Sequence, residues 1–334
     1  MWLTLLKVAA AKTHGWLITK MLSRVAHRLF WLARYIERTE NTARTVNVYS
    51  NLLFDLPTGT KLSWATLIEI TGSESLYLEN YTSYDERSVM KFLVSDKNNP
   101  SSILSCLHMV RENARTSREI LPAEFWEKIN ELHLNAISDI NKGLARKQRF
   151  ESLQKIISGC QLLVGMLSGT MSNNAAYDFM RIGRNLERAD MGTRIIDMGC
   201  TNFLPVNTDK DDDSEIINLY QSILWMNILV SLSGFQAYRQ HISERVNGYD
   251  VVNYLLKDSD FPRAVMHCLN QIQECLEKLP DGMPIAIEVE KIKRSIRRTV
   301  NKVNIDKSLH NYIDKLQKQF MHINDLINEK WCLT

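Results

Sequence analysis

Proline and glycine are scarce in this chain, 7 and 13 in 334 residues. Those residues punctuate turns, so their scarcity argues against many short strands and favours long helices. Runs of alternating β-branched residues are lacking too, and the expected fold class is all-α. Cysteine is sparse. Cys106, Cys160, Cys200, Cys268, Cys275 and Cys332 lie scattered, without CxxC or CxxH spacing, which argues against a zinc knuckle and a dense secreted disulfide framework. Reduced thiols in a cytoplasm are the expected state.

Charge of one sign is also missing. With 41 basic and 38 acidic residues the net charge is +3, so no global field draws the protein onto nucleic acid or anionic lipid, and any anion recognition has to be local. No run of about 18 apolar residues is present to span a bilayer. The phosphate loop GxxxxGK[ST], the GxSxG elbow, HExxH and a kinase-like set are all absent, and neither a cofactor nor a metal is expected. The opening "MWLTLLKVAAAKTHGWLITK" has a weak apolar run broken by Lys7 and no basic region ahead of it. Residues 1–20 are therefore expected to be an extension outside the fold, with the natural start at Met21.

What is present is repetition. "ARYIERTENTAR" (33–44) returns as "GRNLERADMGTR" (183–194) at an offset of 150. The alignment pairs Arg34 with Arg184, Glu37 with Glu187, Arg38 with Arg188, Glu40 with Asp190 and Arg44 with Arg194. "FLVSDKNNPSSILSCL" (92–107) matches "YLLKDSDFPRAVMHCL" (254–269) at an offset of 162, aligning Asp96 with Asp258, Pro100 with Pro262 and Cys106 with Cys268. Between these landmarks each half has a Trp followed by Gly, "WATLIEITG" and "WMNILVSLSG". A loop insertion at "TDKDDDSE" (208–215) would account for the growing offset. The expected architecture is a bundle of two related helical units, about 22–150 and 171–310.

Period 3.6 predicts helices at 22–52, 63–72, 101–119, 123–146, 150–170, 174–202, 214–243, 262–278, 286–303 and 307–330. Pro100 and Pro262 are expected in first helical turns. Loops are expected at 54–62, 78–90, 203–213 and 279–285.

On the wheel of the first long helix Arg34, Glu37, Glu40, Asn41 and Arg44 share one face, with Arg38 on its flank, while Leu32, Ile36, Ala43 and Val46 point oppositely into a core. A solvated face with local pairs, Glu40 to Arg44 and Arg34 to Glu37, explains one helix alone. The second copy changes the weighing, because it keeps Arg, Glu, Arg, acid and Arg at the same steps while Tyr35 becomes Asn185 and Asn41 becomes Met191. Three readings remain open: a buried structural network, a cleft presenting guanidinium forks to an anion, and a catalytic site. His267 beside Cys268 reads as a helix-face coincidence, Asp96 and Asp258 as helix-entry residues, and "RENARTSRE" (111–119) as a solvated basic face.

These blocks resemble the alpha-E family, an all-helical bacterial domain named for its Glu-Arg motifs. The resemblance runs from Met21 almost to the end, through "MLSRVAHRLFWLARYIERTENTAR", "FLVSDKNNPSSILSCLHMVRENAR", "GTMSNNAAYDFMRIGRNLERADMGTR", "SLSGFQAYR" and "DFPRAVMHCL". The family's typical opening has an acidic or amide residue where this chain has His27. The resemblance implies work beside circularly permuted ATP-grasp proteins and transglutaminase-like proteins, sometimes near a proteasome-like peptidase, and hence peptide or amide-bond chemistry. Since this chain lacks an ATP-grasp module's strands and glycine-rich loop, the expectation is an accessory protein that binds the ligase or its peptide through the two Glu-Arg helices. The alternatives are an enzyme with Glu37 or Glu187 as general base and the arginines as anion holders, and a purely structural interaction module.

Overall fold

The computed structural model describes residues 2–55, 62–141, 146–202, 214–242, 245–299 and 307–332, with side chains over 23–53, 62–140, 148–199, 221–242, 245–298 and 308–332. These residues form helices and connecting turns, with no strand among them. The helices are α1 (Trp2–Asp55), α2 (Trp64–Thr71), α3 (Glu74–Asn80), α4 (Glu86–Val94), α5 (Ile103–Arg115), α6 (Ala123–Asn141) and α7 (Arg146–Thr170). They continue as α8 (Ala175–Asn202), α9 (Ser214–Ser231), α10 (Phe235–His241), α11 (Gly248–Lys257), α12 (Val265–Lys278), α13 (Met283–Thr299) and α14 (Lys307–Trp331).

Local chemistry sets many of these ends. Asp85, Ser102 and Asn247 accept backbone N–H groups from Ser88, Ser105 and Asp250 at the starts of α4, α5 and α11. Asn174 does the same for Ala176 and Tyr177 at the start of α8. Gly72, at φ 62°, closes α2 in the left-handed region, its N–H donating to Glu69 and that of Ser73 to Ile68.

The two longest charged helices are the axis of the molecule. Helices α1 and α8 pack on each other, α5 and α7 flank α1, and α12 and α14 flank α8. Leu29, Phe30, Leu32 and Ile36 of α1 and Ile182, Leu186, Ile195 and Ile196 of α8 are fully buried, each such side chain contributing about 1.5–3 kcal/mol of transfer free energy. Gly183 marks a close approach: a Cβ there would stand 2.3 Å from the carbonyl oxygen of Phe30. Tyr49 bridges the same pair, its hydroxyl 3.1 Å from the Met198 sulfur.

Several sequence expectations are corrected. Pro100 and Pro262 sit in turns just before α5 and α12, not inside the first helical turns, and their carbonyls face the thiols of Cys106 and Cys268 at 3.6 Å. The loop expected at 78–90 contains the end of α3 and the start of α4, seeded by Asp85. The helix expected over 214–243 breaks between α9 and α10, where Ser233 adopts φ 55°. Helix α13 begins at Met283, inside the loop expected at 279–285, and α11 was not anticipated. The first helix begins at Trp2 rather than near residue 22; the run from Leu5 to Lys12, with its three alanines, has good helix propensity and no breaker. The expected loop 203–213 and most of the "TDKDDDSE" segment lie outside the described residues.

Candidate functional site

An α-helix whose polar face is as buried as its apolar face needs counter-charges from its neighbours. Helix α1 is in that position: Glu37, Glu40 and Asn41 are at most 2% exposed and Arg34 is 8% exposed. The counter-charges come from across the helix pair. Arg38 forms a fork on Glu187 of α8, Nε to Oε1 at 2.6 Å and Nη2 to Oε2 at 3.0 Å, and Arg34 Nε donates to Oε2 at 2.8 Å. In return Arg188 of α8 pairs with Glu37 of α1, Nε to Oε2 at 2.9 Å.

A second guanidinium comes to Glu37 from the turn before α12. Arg263 Nη1 donates to Glu37 Oε1 at 2.6 Å and to Asn41 Oδ1 at 2.7 Å, while its Nη2 donates to Glu40 Oε1 at 2.7 Å. Arg44 closes on the same Glu40 oxygen at 2.5 Å, one helical turn away, and Gln161 of α7 approaches it at 3.4 Å. The outer ends of the first cluster are tied as well: Arg34 Nη1 donates to Asn324 of α14 at 2.6 Å and Arg38 Nη1 to Ser101 at 3.3 Å. The Arg34 guanidinium lies 4.9 Å from the ring centre of Trp31 and Arg38 lies 5.9 Å from that of Tyr35.

The electrostatics follow from this wiring. Burial alone would raise the Glu187 carboxyl, but the guanidiniums of Arg38 and Arg34 outweigh it and hold the pKa at about 2. Glu37 is likewise shielded from water, and Arg188, Arg263 and Arg184 bring its pKa below the ordinary value. Arg38 and Arg188 become harder to deprotonate, because the buried carboxylates they face outweigh their own desolvation. Burial pushes the Cys106 and Cys268 thiols up to about 12, which makes them poor nucleophiles.

Of the residues singled out in the sequence, Arg34, Glu37, Arg38, Glu40, Asn41, Arg44, Glu187 and Arg188 meet in this network. Asp190 and Arg194 pair with each other at 3.0 Å, one turn further along α8. Arg184 lies beside the network without joining it: its Nε is closed off from water and has no hydrogen-bond partner. The local pair expected between Arg34 and Glu37 does not form, since Arg34 turns to Glu187; the Glu40 to Arg44 pair does. Arg263, Asn324, Ser101 and Gln161 were missed. Arg263 had a signal, as the residue after the landmark Pro262, but its aligned counterpart is Ser101, and a comparison of the two segments for shared residues passes over it.

No group of three or more His, Cys, Asp or Glu side chains able to hold a metal occurs among the described residues. Among them, no helix is long and apolar enough to cross a membrane.

The Alpha-E family model, "a predicted alpha-helical domain with a conserved ER motif", matches residues 21–332. Uncharacterized proteins of Mycobacterium bovis and Mycobacterium tuberculosis are each 23% identical to this chain over 276 residues. The similarity covers 77% of this chain and 30% of each relative, so the chain spans less than a third of the length of the curated relatives it matches. No solved structure matches it.

Proposed function

Because this chain belongs to the Alpha-E family, we propose that it is a non-catalytic helical scaffold whose Glu-Arg motifs lock its two central helices together, and that it serves as an accessory to an ATP-grasp-type peptide or amide ligase and a transglutaminase-like protein. One observation carries the scaffold reading: Glu37 and Glu187 are 0% and 2% exposed, and each is clamped by two guanidiniums from other elements. A general base must reach its substrate and have a pKa near the working pH. Glu187, buried and held at about 2, meets neither need, and Glu37 is fully buried with its pKa below the ordinary value. The enzyme alternative therefore loses its candidate bases, and contact with a ligase falls to the outer surface of the bundle.

The accessory role is supported by the relatives, in which the similar region is a minor part of a much longer chain. A unit of that kind acts beside other domains, whether fused or separate. The proposal also takes the chain to be a duplication, with residues of about 22–150 and 171–310 as two related units. In its favour, short α3 and α10 follow α2 and α9 after left-handed turns, Cys106 and Cys268 each contact the carbonyl of the proline six residues earlier, and Arg38 to Glu187 mirrors Arg188 to Glu37.

Affinity purification of the tagged chain from its native host, after mild cross-linking, tests the partner reading. An ATP-grasp-type protein is expected among the captured proteins by mass spectrometry. Its absence, with the ligase shown to be expressed, removes the ligase from the proposal and leaves the scaffold reading alone.

A further inference from the structure

Six guanidiniums, those of Arg34, Arg38, Arg44, Arg184, Arg188 and Arg263, gather around three carboxylates, Glu37, Glu40 and Glu187. Five of the six have carboxylate partners. Arg184 has none among the described residues, because Arg188 and Arg263 already occupy Glu37. The acceptors around its neighbour Arg181, on Asp178, Gln271 and Glu274, are engaged by that guanidinium. Burial, followed by repulsion from Arg188, lowers the basicity of Arg184 and outweighs the pull of Glu37, which lies near it without forming an ion pair.

A cavity adjoins this side chain, lined by Arg184, Arg181 and Tyr177 together with Ala33, Ile36, Val164, Leu167 and Met180. On the other side of the helix pair, Arg34 finds an amide oxygen on α14; here α7 presents only Val164 and Leu167. The space inside is about 20 Å³, room for roughly one water-sized group, and it opens to solvent. A planar carboxylate can place an oxygen there with the rest of the molecule left in the mouth, which a bulkier tetrahedral phosphate or sulfate does less well. We propose that the mouth of this cavity binds a carboxylate, its head group paired with Arg184 and hydrogen-bonded by Tyr177, and its short apolar tail in the mouth beside Val164. The arginine fork supplies the two parallel donors that a carboxylate accepts. The site does not depend on the ligase reading, since no partner protein enters the argument.

The test uses the full chain and small probes. Sodium butyrate, titrated against sodium chloride at equal ionic strength, is expected to raise the melting temperature of the native protein, and chloride to leave it nearly unchanged. Arg184→Met and Arg184→Gln are expected to abolish the butyrate effect while melting, unliganded, at or above the native temperature, because each removes an unpaired desolvated charge. Calorimetry with N-acetylalanine then separates the sources of the carboxylate: tighter binding than butyrate points to a peptide C-terminus, weaker binding to a free short-chain acid, and both support the site. Equal responses of the native chain to butyrate and chloride overturn the proposal without any variant. So does a butyrate response that survives in both variants, or an unliganded loss of several degrees in both, which would mean that Arg184 has a structural partner.

Discussion

At the scale of the residue, the informative property of Glu37 and Glu187 is that their counter-charges come from other helices. A buried carboxylate held by two guanidiniums is expensive to remove, since the arginines remain behind, desolvated and unpaired. Glu37→Ala strands Arg188 and leaves Arg263 with Glu40 as its remaining carboxylate, and Glu187→Ala removes the carboxylate partner of both Arg34 and Arg38. Each substitution is expected to lower unfolding free energy by about 3–5 kcal/mol in urea melts. A loss of about 0.5 kcal/mol, typical of an exposed pair, would show the network to be ornamental.

Glu187 also predicts an acid-sensitive limb. Its pKa in the folded protein is about 2, depressed from the ordinary value of 4.5. A depressed folded-state pKa contributes stability that is fully present above the unfolded value and is lost as pH falls towards the folded one. The Glu187 contribution is thus intact at neutral pH and lost from about pH 5 down to about pH 2, a change of roughly 3 kcal/mol. Glu187→Gln, whose amide does not titrate, is expected to be less stable at pH 7 and to show a shallower decline over that window. Parallel acid limbs in the two proteins would place the pH sensitivity elsewhere.

At the scale of the element, α1 and α8 come close because Gly183 has no side chain where it meets the Phe30 backbone. The contact is with a carbonyl oxygen, which cannot swing aside as a flexible side chain would. Gly183→Ala gains helix propensity, about 1 kcal/mol, yet has to push two packed helices apart. A net loss of about 1–3 kcal/mol is expected by chemical denaturation; a gain would mean that the helix pair has slack there. The far N-terminal part of α1 offers a contrast. The family match starts at residue 21 although the helix begins at Trp2, and deletion of residues 1–20 is expected to lower the melting temperature by less than about 2 °C, corresponding to under 1 kcal/mol. A larger fall would show that the segment docks.

Elements also explain what the sequence made legible. The long helices could be read because three or more turns of apolar periodicity average out local exceptions. Helices α3 and α10, seven residues each, are too short for that averaging, and α11 lies in a stretch read only as a landmark for the repeat. The charged positions were legible because sign and spacing recur at an offset of 150. Their pairing was not, because Arg34 has a local candidate in Glu37 at i,i+3, and nothing within one helix indicates that a carboxylate on another takes precedence. Arg263 escaped for a related reason: matching two segments reveals what they share, whereas this guanidinium stands opposite a serine, Ser101.

At the scale of the whole molecule, the cross-wiring makes each half incomplete. The first seven helices contain Glu37 without Arg188 and Arg263, and the next seven contain Glu187 without Arg34 and Arg38. Each half also exposes apolar surface where α1 and α8 pack on each other, as at Phe30 against Gly183. A chain divided in the turn at Ser172–Asn174, which joins α7 to α8, therefore yields fragments with both an unmet charge and an unmet apolar surface. Expressed alone, 21–172 and 173–332 are expected to aggregate or to show no cooperative thermal transition; co-expressed, they are expected to purify as a one-to-one complex with a single transition. Glu37→Ala in the first fragment should weaken that complex by about 10²-fold or more, the equivalent of about 3 kcal/mol or more at one buried site. If either fragment alone melted cooperatively near the temperature of the intact protein, the two halves would be independent domains, and the Glu-Arg pairs between them would be a contact rather than a requirement for folding.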